Sequence, residues 1–84
     1  MKYYTYVLRS VNFKRHYAGF SRNVKKRVRQ HNAGKTKSTK PYLPWELLFF
    51  EEFSTKEEAI SREKFLKTGK GREYIKKWPR GATE

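Results

Sequence analysis

The side chains Tyr6, Tyr17, Arg27, His31 and Glu63 carry most of the chemical potential of this sequence. Arg27 and His31 are four positions apart in a segment that reads as a helix. They lie toward the Val24 and Val28 side, away from Lys25, Lys26 and Arg29, because residues three and four apart share a helix face. An inward guanidinium or imidazole needs a partner, since an unpaired buried charge costs on the order of several kcal/mol. On a second predicted helix, Ala59, Ile60 and Leu66 define the buried stripe and Glu63 falls in its middle. Two readings of that carboxylate stay open. It forms an ion pair with Arg27 or a neighbouring lysine, or it holds a metal, since one carboxylate with waters and substrate phosphate oxygens is a normal way to bind Mg²⁺.

These residues need elements to position them. The run Tyr3 to Leu8 is aromatic and β-branched without polar alternation, which predicts a central strand covered on both faces. Tyr4 and Tyr6 share one of its faces, and Tyr3, Thr5 and Val7 the other. A turn over Ser10 to Lys14 leads into a second strand from His16 to Phe20, giving a hairpin that brings Tyr6 and Tyr17 into one sheet. Gly19, inside a strand pattern, predicts a bulge or the close approach of another group. Ser21 or Asn23 caps the first helix, which runs to about Asn32 and stops at Gly34. Residues Lys35 to Pro44 form an exposed basic loop. Trp45 to Phe53 reads as a third strand whose Trp45, Phe49, Phe50 and Phe53 enter the core.

Ser54 or Thr55 caps the second helix with capping-box spacing to Glu57 or Glu58, and the helix ends near Thr68 and Gly69. A last short helix runs from about Gly71 to Trp78 and is stopped by Pro79, with the residues from about 79 frayed. The order of elements predicts an α+β fold: a small three-stranded, mainly antiparallel sheet flanked by helices, as one domain over residues 1–84.

Twenty-one Lys and Arg against eight Asp and Glu leave a net charge of +13, which makes nucleic acid the leading partner. A membrane surface is disfavoured, because no long amphipathic helix with a wholly apolar face and no lipidation motif is present. With 17% aromatics the chain has the means to build a core despite 35% charged residues. The absence of cysteine excludes disulfides and thiolate metal sites. The apolar run at the N-terminus is too short for a signal peptide, so a cytoplasmic location is expected.

Tyr4-Thr5-Tyr6, then Tyr17-Ala18-Gly19 eleven residues on, Arg27, His31-Asn32 and Glu58-Ala59-Ile60-Ser61-Arg62-Glu63 form an ordered set. So does Lys67-Thr68-Gly69-Lys70-Gly71-Arg72-Glu73 after them. This set resembles the GIY-YIG endonuclease superfamily, in particular its small stand-alone bacterial members, which are related to the N-terminal cleavage domain of the UvrC repair nuclease. The resemblance implies metal-dependent hydrolysis of phosphodiester bonds in DNA, in repair or in processing of branched or nicked structures.

In that scheme Tyr6 or Tyr17 helps take a proton from the attacking water, which requires cations to lower a phenol pKa that is ordinarily near 10. Arg27 holds the phosphate, His31 positions water or contacts phosphate, and Glu63 anchors Mg²⁺ or Mn²⁺. No other cofactor is implied. Arg22, Lys26, Lys35, Lys37, Lys40, Lys67 and Arg72 are the cations expected to contact nucleic acid. Three positions depart from the family pattern. Tyr4 and Thr5 replace the glycine and isoleucine of the first motif, and Phe20 stands where many relatives carry a lysine, so a base-activating cation must come from elsewhere, such as Arg22 or the Lys35 to Lys40 loop. The alternative function is a basic module that binds DNA or RNA without cutting it.

Overall fold

The computed structural model describes residues 1–78. In order along the chain come β1 (Tyr3–Ser10), β2 (His16–Ser21), α1 (Val24–Asn32), a 3₁₀ turn (Lys40–Tyr42), β3 (Trp45–Phe53), α2 (Lys56–Leu66) and α3 (Gly69–Lys76). Both strand pairings are antiparallel, in the order β2-β1-β3. The strand with unbroken hydrophobic character is therefore the central one, with Thr5 to Leu8 fully buried.

Alternation along β1 divides the interior in two. Tyr6 and Leu8 point to the face where they pack with Trp45 and with Val24 and Val28 of α1. Val7 points to the other face, with Ala18, Leu48 and Phe49, against Leu66 of α2 and Ile75 of α3. Complete burial of one such aliphatic side chain stabilises by about 1.5–3 kcal/mol, so the sheet is held from both sides. Between Val7 and Leu8 the register against β3 slips, with Val7 opposite Phe49 and Leu8 opposite Leu47. The extra residue, Leu48, lets two consecutive side chains enter the same core. On the second face Thr5 donates its hydroxyl to Ala59 O at 2.7 Å, which ties α2 to the central strand.

Each helix starts on a side-chain cap. Asn23 accepts from Lys26 N, Thr55 and Glu58 form a reciprocal capping box, and Thr68 accepts from Gly71 N. The Thr68 cap corrects the expected boundary: α3 starts at Gly69 and α2 stops at Leu66. A Cβ on Gly71 would collide with Phe65 O and lie 2.5 Å from Leu66 Cα, so only glycine allows α3 to turn this tightly away from α2. β1 runs two residues beyond the expected Leu8, because Ser10 N still bonds across the hairpin to Arg15 O.

The aromatic third strand is less buried than its composition implies. Trp45 and Phe49 are core residues, but Phe50 is 47% exposed, because it follows Phe49 on the opposite face and beyond the cover of α1. Its ring meets Tyr4 edge-on at 5.8 Å. The expected stop at Pro79 and the frayed tail lie outside the described residues. Among the described residues no helix is long and apolar enough to cross a membrane.

Candidate active site

The α1 face of the sheet, at its β2 edge, collects the polar residues. Tyr6 is 1% exposed, and its Oη lies 3.0 Å from Nε2 of His31, itself fully buried. The opposite ring nitrogen, Nδ1, is 2.9 Å from the hydroxyl of Thr39. That hydroxyl donates to Thr36 O at 3.3 Å, so it accepts from His31 Nδ1–H. The imidazole therefore offers a lone pair at Nε2, and Tyr6 donates its proton to it.

Both groups are held neutral. Burial, reinforced by the Arg27 guanidinium, pushes the His31 pKa down to about 4. Burial, then the neighbouring Tyr17, pushes Tyr6 up to about 12, with Arg27 opposing and Glu63 adding to the rise. The expectation that cations lower the phenol's pKa is not met at Tyr6, because desolvation outweighs the pull of Arg27. Losing one partner of this buried chain would leave a donor or acceptor unsatisfied, at about 1–3 kcal/mol.

The close approach of Tyr6 to β2 depends on Gly19, its direct cross-strand partner. A Cβ there would lie 2.7 Å from Tyr6 Oη and 3.1 Å from Tyr17 Cε2. The Tyr17 ring sits 5.0 Å from the His31 ring and 6.4 Å from that of Tyr6, and it is only half-buried. Arg27, one turn before His31 on α1, is half-buried and donates to Gln30 Oε1 at 3.0 Å. Its guanidinium lies close enough to the Tyr6 phenol to oppose the rise of that group's pKa.

Glu63 sits at the rim of its helix stripe, where its side chain is 18% exposed and accepts from Lys67 Nζ at 2.7 Å. The same ammonium lies 5.7 Å from the centre of the Tyr17 ring. Lys67 thus links the carboxylate of α2 to the tyrosine of β2. Of the two readings left open by the sequence, the ion pair is present and its partner is this lysine, one helical turn on. Among the described residues no group of three or more His, Asp or Glu side chains could surround a metal ion. Any metal here would rely on Glu63, with waters and phosphate oxygens completing its shell, and this donor set suits Mg²⁺, which keeps much of its water.

The fold brings Tyr6, Tyr17, Arg27 and His31 into one cluster and reaches Glu63 through Lys67. Arg22, expected near the base, instead lies over the Tyr3 ring at 6.0 Å, and Lys67 is the cation beside Tyr17. Lys26, Lys35, Lys37 and Lys40 are exposed on α1 and the following loop, without a contact to the cluster, while Lys67 and Arg72 border one groove. The loop itself is not wholly exposed: Thr39 is 1% exposed, and its carbonyl accepts from Trp45 Nε1 at 2.8 Å. Asn32 closes the arrangement by accepting from Trp45 N and donating to Trp45 O. Sequence reasoning missed Thr39 altogether, and for Lys67, which it expected at nucleic acid, it missed the place beside Tyr17 and Glu63. Only the second had a signal, the Glu-to-Lys spacing of four.

The family description "GIY-YIG catalytic domain" matches residues 2–77. The chain belongs to the GIY-YIG family. Among curated proteins it is similar to a UPF0213 protein of Streptococcus pyogenes serotype M3, with 46% identity over 72 residues, covering 84% of this chain and 77% of the relative. A UPF0213 protein of serotype M5, strain Manfredo, is 44% identical over the same shares. Among solved structures it is similar to the solution NMR structure of a UPF0213 protein from Bacillus halodurans. The identity there is 28%, over 98% of this chain and 92% of that one, with a TM-score of 0.57. The likeness extends over nearly the whole of both chains, so the α+β fold described above is shared with that neighbour.

Proposed function

We propose that this protein is a metal-dependent endonuclease that hydrolyses phosphodiester bonds in DNA, in repair or processing of branched or nicked structures. The observation that carries this reading is the convergence of Tyr17, Arg27 and the Tyr6–His31 pair, with Glu63 joined to Tyr17 through Lys67. With DNA as substrate, the cytoplasm is its expected place of work.

The reaction is attack of a water oxygen on phosphorus with departure of the 3′ oxygen, leaving a 3′-hydroxyl and a 5′-phosphate. Arg27 binds the phosphate and stabilises the charge that develops on its oxygens. Tyr17, the phenol with solvent access, first gives its own proton to solvent and as phenolate receives the proton of the attacking water, with the Lys67 ammonium 5.7 Å from its ring centre favouring that charge. Tyr6 and His31 act as positioning residues: their mutual hydrogen bond fixes the wall against which Tyr17 and the water sit. Glu63 would hold Mg²⁺ or Mn²⁺, which supplies stabilisation of the leaving oxygen when bound.

One observation favours a second reading, a module that binds nucleic acid without cutting it. Tyr6 and His31 are locked as neutral partners, which removes one of the two candidate bases. Incubating the protein with nicked, branched and linear DNA and with RNA, in Mg²⁺, Mn²⁺ or EDTA, separates the two. Cutting that needs metal and leaves 5′-phosphate ends supports the endonuclease. Salt-sensitive binding with no product on any substrate supports the module.

A further inference from the structure

Next to this site lies the groove bordered by Lys67 and Arg72, of about 440 Å³, between the β1–β2 turn with the start of β2 and the end of α2 with α3. Its floor is apolar, made by Ala18, Leu66 and Ile75. Its rim carries Lys14, Arg15, Lys67, Arg72 and Lys76, and no carboxylate lines it among the described residues. Lys67 is paired with Glu63, but among the described residues no ion pair neutralises Lys14, Arg15, Arg72 or Lys76, and cations gathered in this way repel one another until a polyanion relieves the repulsion. The crowding is visible at His16, also on the rim, whose imidazole is held below its ordinary pKa by partial burial, then by Arg9 and Lys76.

Two further features set the chemistry of the occupant. An apolar floor under a cationic rim matches a sugar-phosphate strand, which offers deoxyribose faces inward and phosphates outward. The groove is also continuous with the candidate active site, because Lys67 lines the groove and stands over the Tyr17 ring. A strand whose scissile phosphate rests on Arg27 and Tyr17 would run on past Lys67 into it.

We infer that this groove is a second nucleic-acid contact, holding the sugar-phosphate backbone that flanks the bond to be cut on the β2 side of the site. The inference rests on the proposed action on DNA for its orientation, but its own content is binding.

The test is fluorescence anisotropy with labelled duplex and single-stranded DNA oligonucleotides over a series of KCl concentrations. A triple variant Lys14→Ala, Arg72→Ala, Lys76→Ala is compared with wild type and with a control of equal charge loss, Lys2→Ala, Lys56→Ala, Lys64→Ala, none of which lines the groove. Circular dichroism melts confirm that both variants fold, and Arg72→Ala alone serves if the triple variant does not. Each phosphate contact adds about 0.9 to the slope of log K against log salt on duplex DNA and about 0.7 on single strands. The groove triple should therefore bind with a slope shallower by roughly two to three, and the control by less than one. Equal changes in both variants would overturn the inference by making the binding a diffuse charge effect. Its failure is separable from failure of the nuclease reading. Wild type that cuts nothing while the groove triple loses slope leaves the groove standing, and normal cutting with equal slopes removes the groove alone.

Discussion

Tyr6 and His31, 25 positions apart in the chain, meet at 3.0 Å inside the protein, and the phenol donates to the imidazole. The bond joins the central strand to the end of α1, and Thr39 completes it from the far side of the ring. Because each group is favoured in its neutral form, the pair is a structural link as well as a wall of the candidate site.

Acid should weaken this link. An unfolded histidine titrates near 6.5, whereas His31 in the folded protein titrates near 4. Between those values the unfolded chain binds more protons, so stability falls as pH drops through that window and is fully present above it. Replacing His31 by Gln removes the titration. Urea midpoints at about pH 7 and about pH 5 should therefore differ more for wild type than for His31→Gln, with carboxylate contributions common to both. Equal differences would contradict a buried neutral imidazole. At the alkaline end Tyr6 has the opposite dependence: its raised pKa of about 12 costs stability as pH rises above 10, where the unfolded phenol ionises.

Gly19 should not tolerate even a methyl group. Its φ is not in the left-handed region, so the restriction is space and not backbone conformation. Gly19→Ala places a carbon 2.7 Å from Tyr6 Oη and 2.8 Å from Cζ, and overpacking of this kind costs about 1–3 kcal/mol. Adding Tyr6→Phe removes the nearer of those atoms, so the double variant should lose less than the sum of the singles. Additive losses in chemical denaturation would mean that the tyrosine is not what the methyl meets.

Tyr17 and Tyr6 should separate in kinetics. Proton transfer by a positioned side chain contributes about 10²- to 10⁴-fold, so Tyr17→Phe should lower kcat by that range with DNA affinity unchanged. Tyr6→Phe, which leaves Tyr17 and Lys67 in place, should lower kcat less and destabilise the fold by about 1–3 kcal/mol through the unpaired His31. Single-turnover cleavage beside equilibrium binding reads both. A larger kinetic loss at Tyr6 would exchange the roles of the two phenols.

Much of this arrangement was legible in the residues. The unalternating run at Tyr3 to Leu8 marks the central strand, and the Arg27, His31 and Glu63 positions stand out because polar groups break an apolar stripe. Gly19 announced a close approach without naming the visitor. What escaped was set by tertiary partners. Thr39 sits in a stretch of lysines, prolines and threonines that looks solvated throughout, and only the arrival of His31 and the Trp45 indole gives it a reason to be buried. Phe50 looks like core because aromatic residues usually are, yet strand alternation sends it past the edge of α1. The boundary between α2 and α3 was missed because Gly69 and Gly71 read as an ending, whereas Thr68 caps a new helix through them.

The proposed chemistry turns on Arg27 and Glu63 together, one holding the phosphate and the other the metal. Cleavage of labelled nicked and branched DNA in Mg²⁺ or Mn²⁺ should be followed for wild type, Arg27→Ala and Glu63→Gln, with binding of the same substrates measured in EDTA. Expected are cutting by wild type that stops in EDTA, and loss of about 10²-fold or more in each variant, as for removal of one transition-state contact, with binding retained. Cutting that survives both substitutions, or binding without any cutting by wild type, would contradict the assignment of an endonuclease site to this cluster.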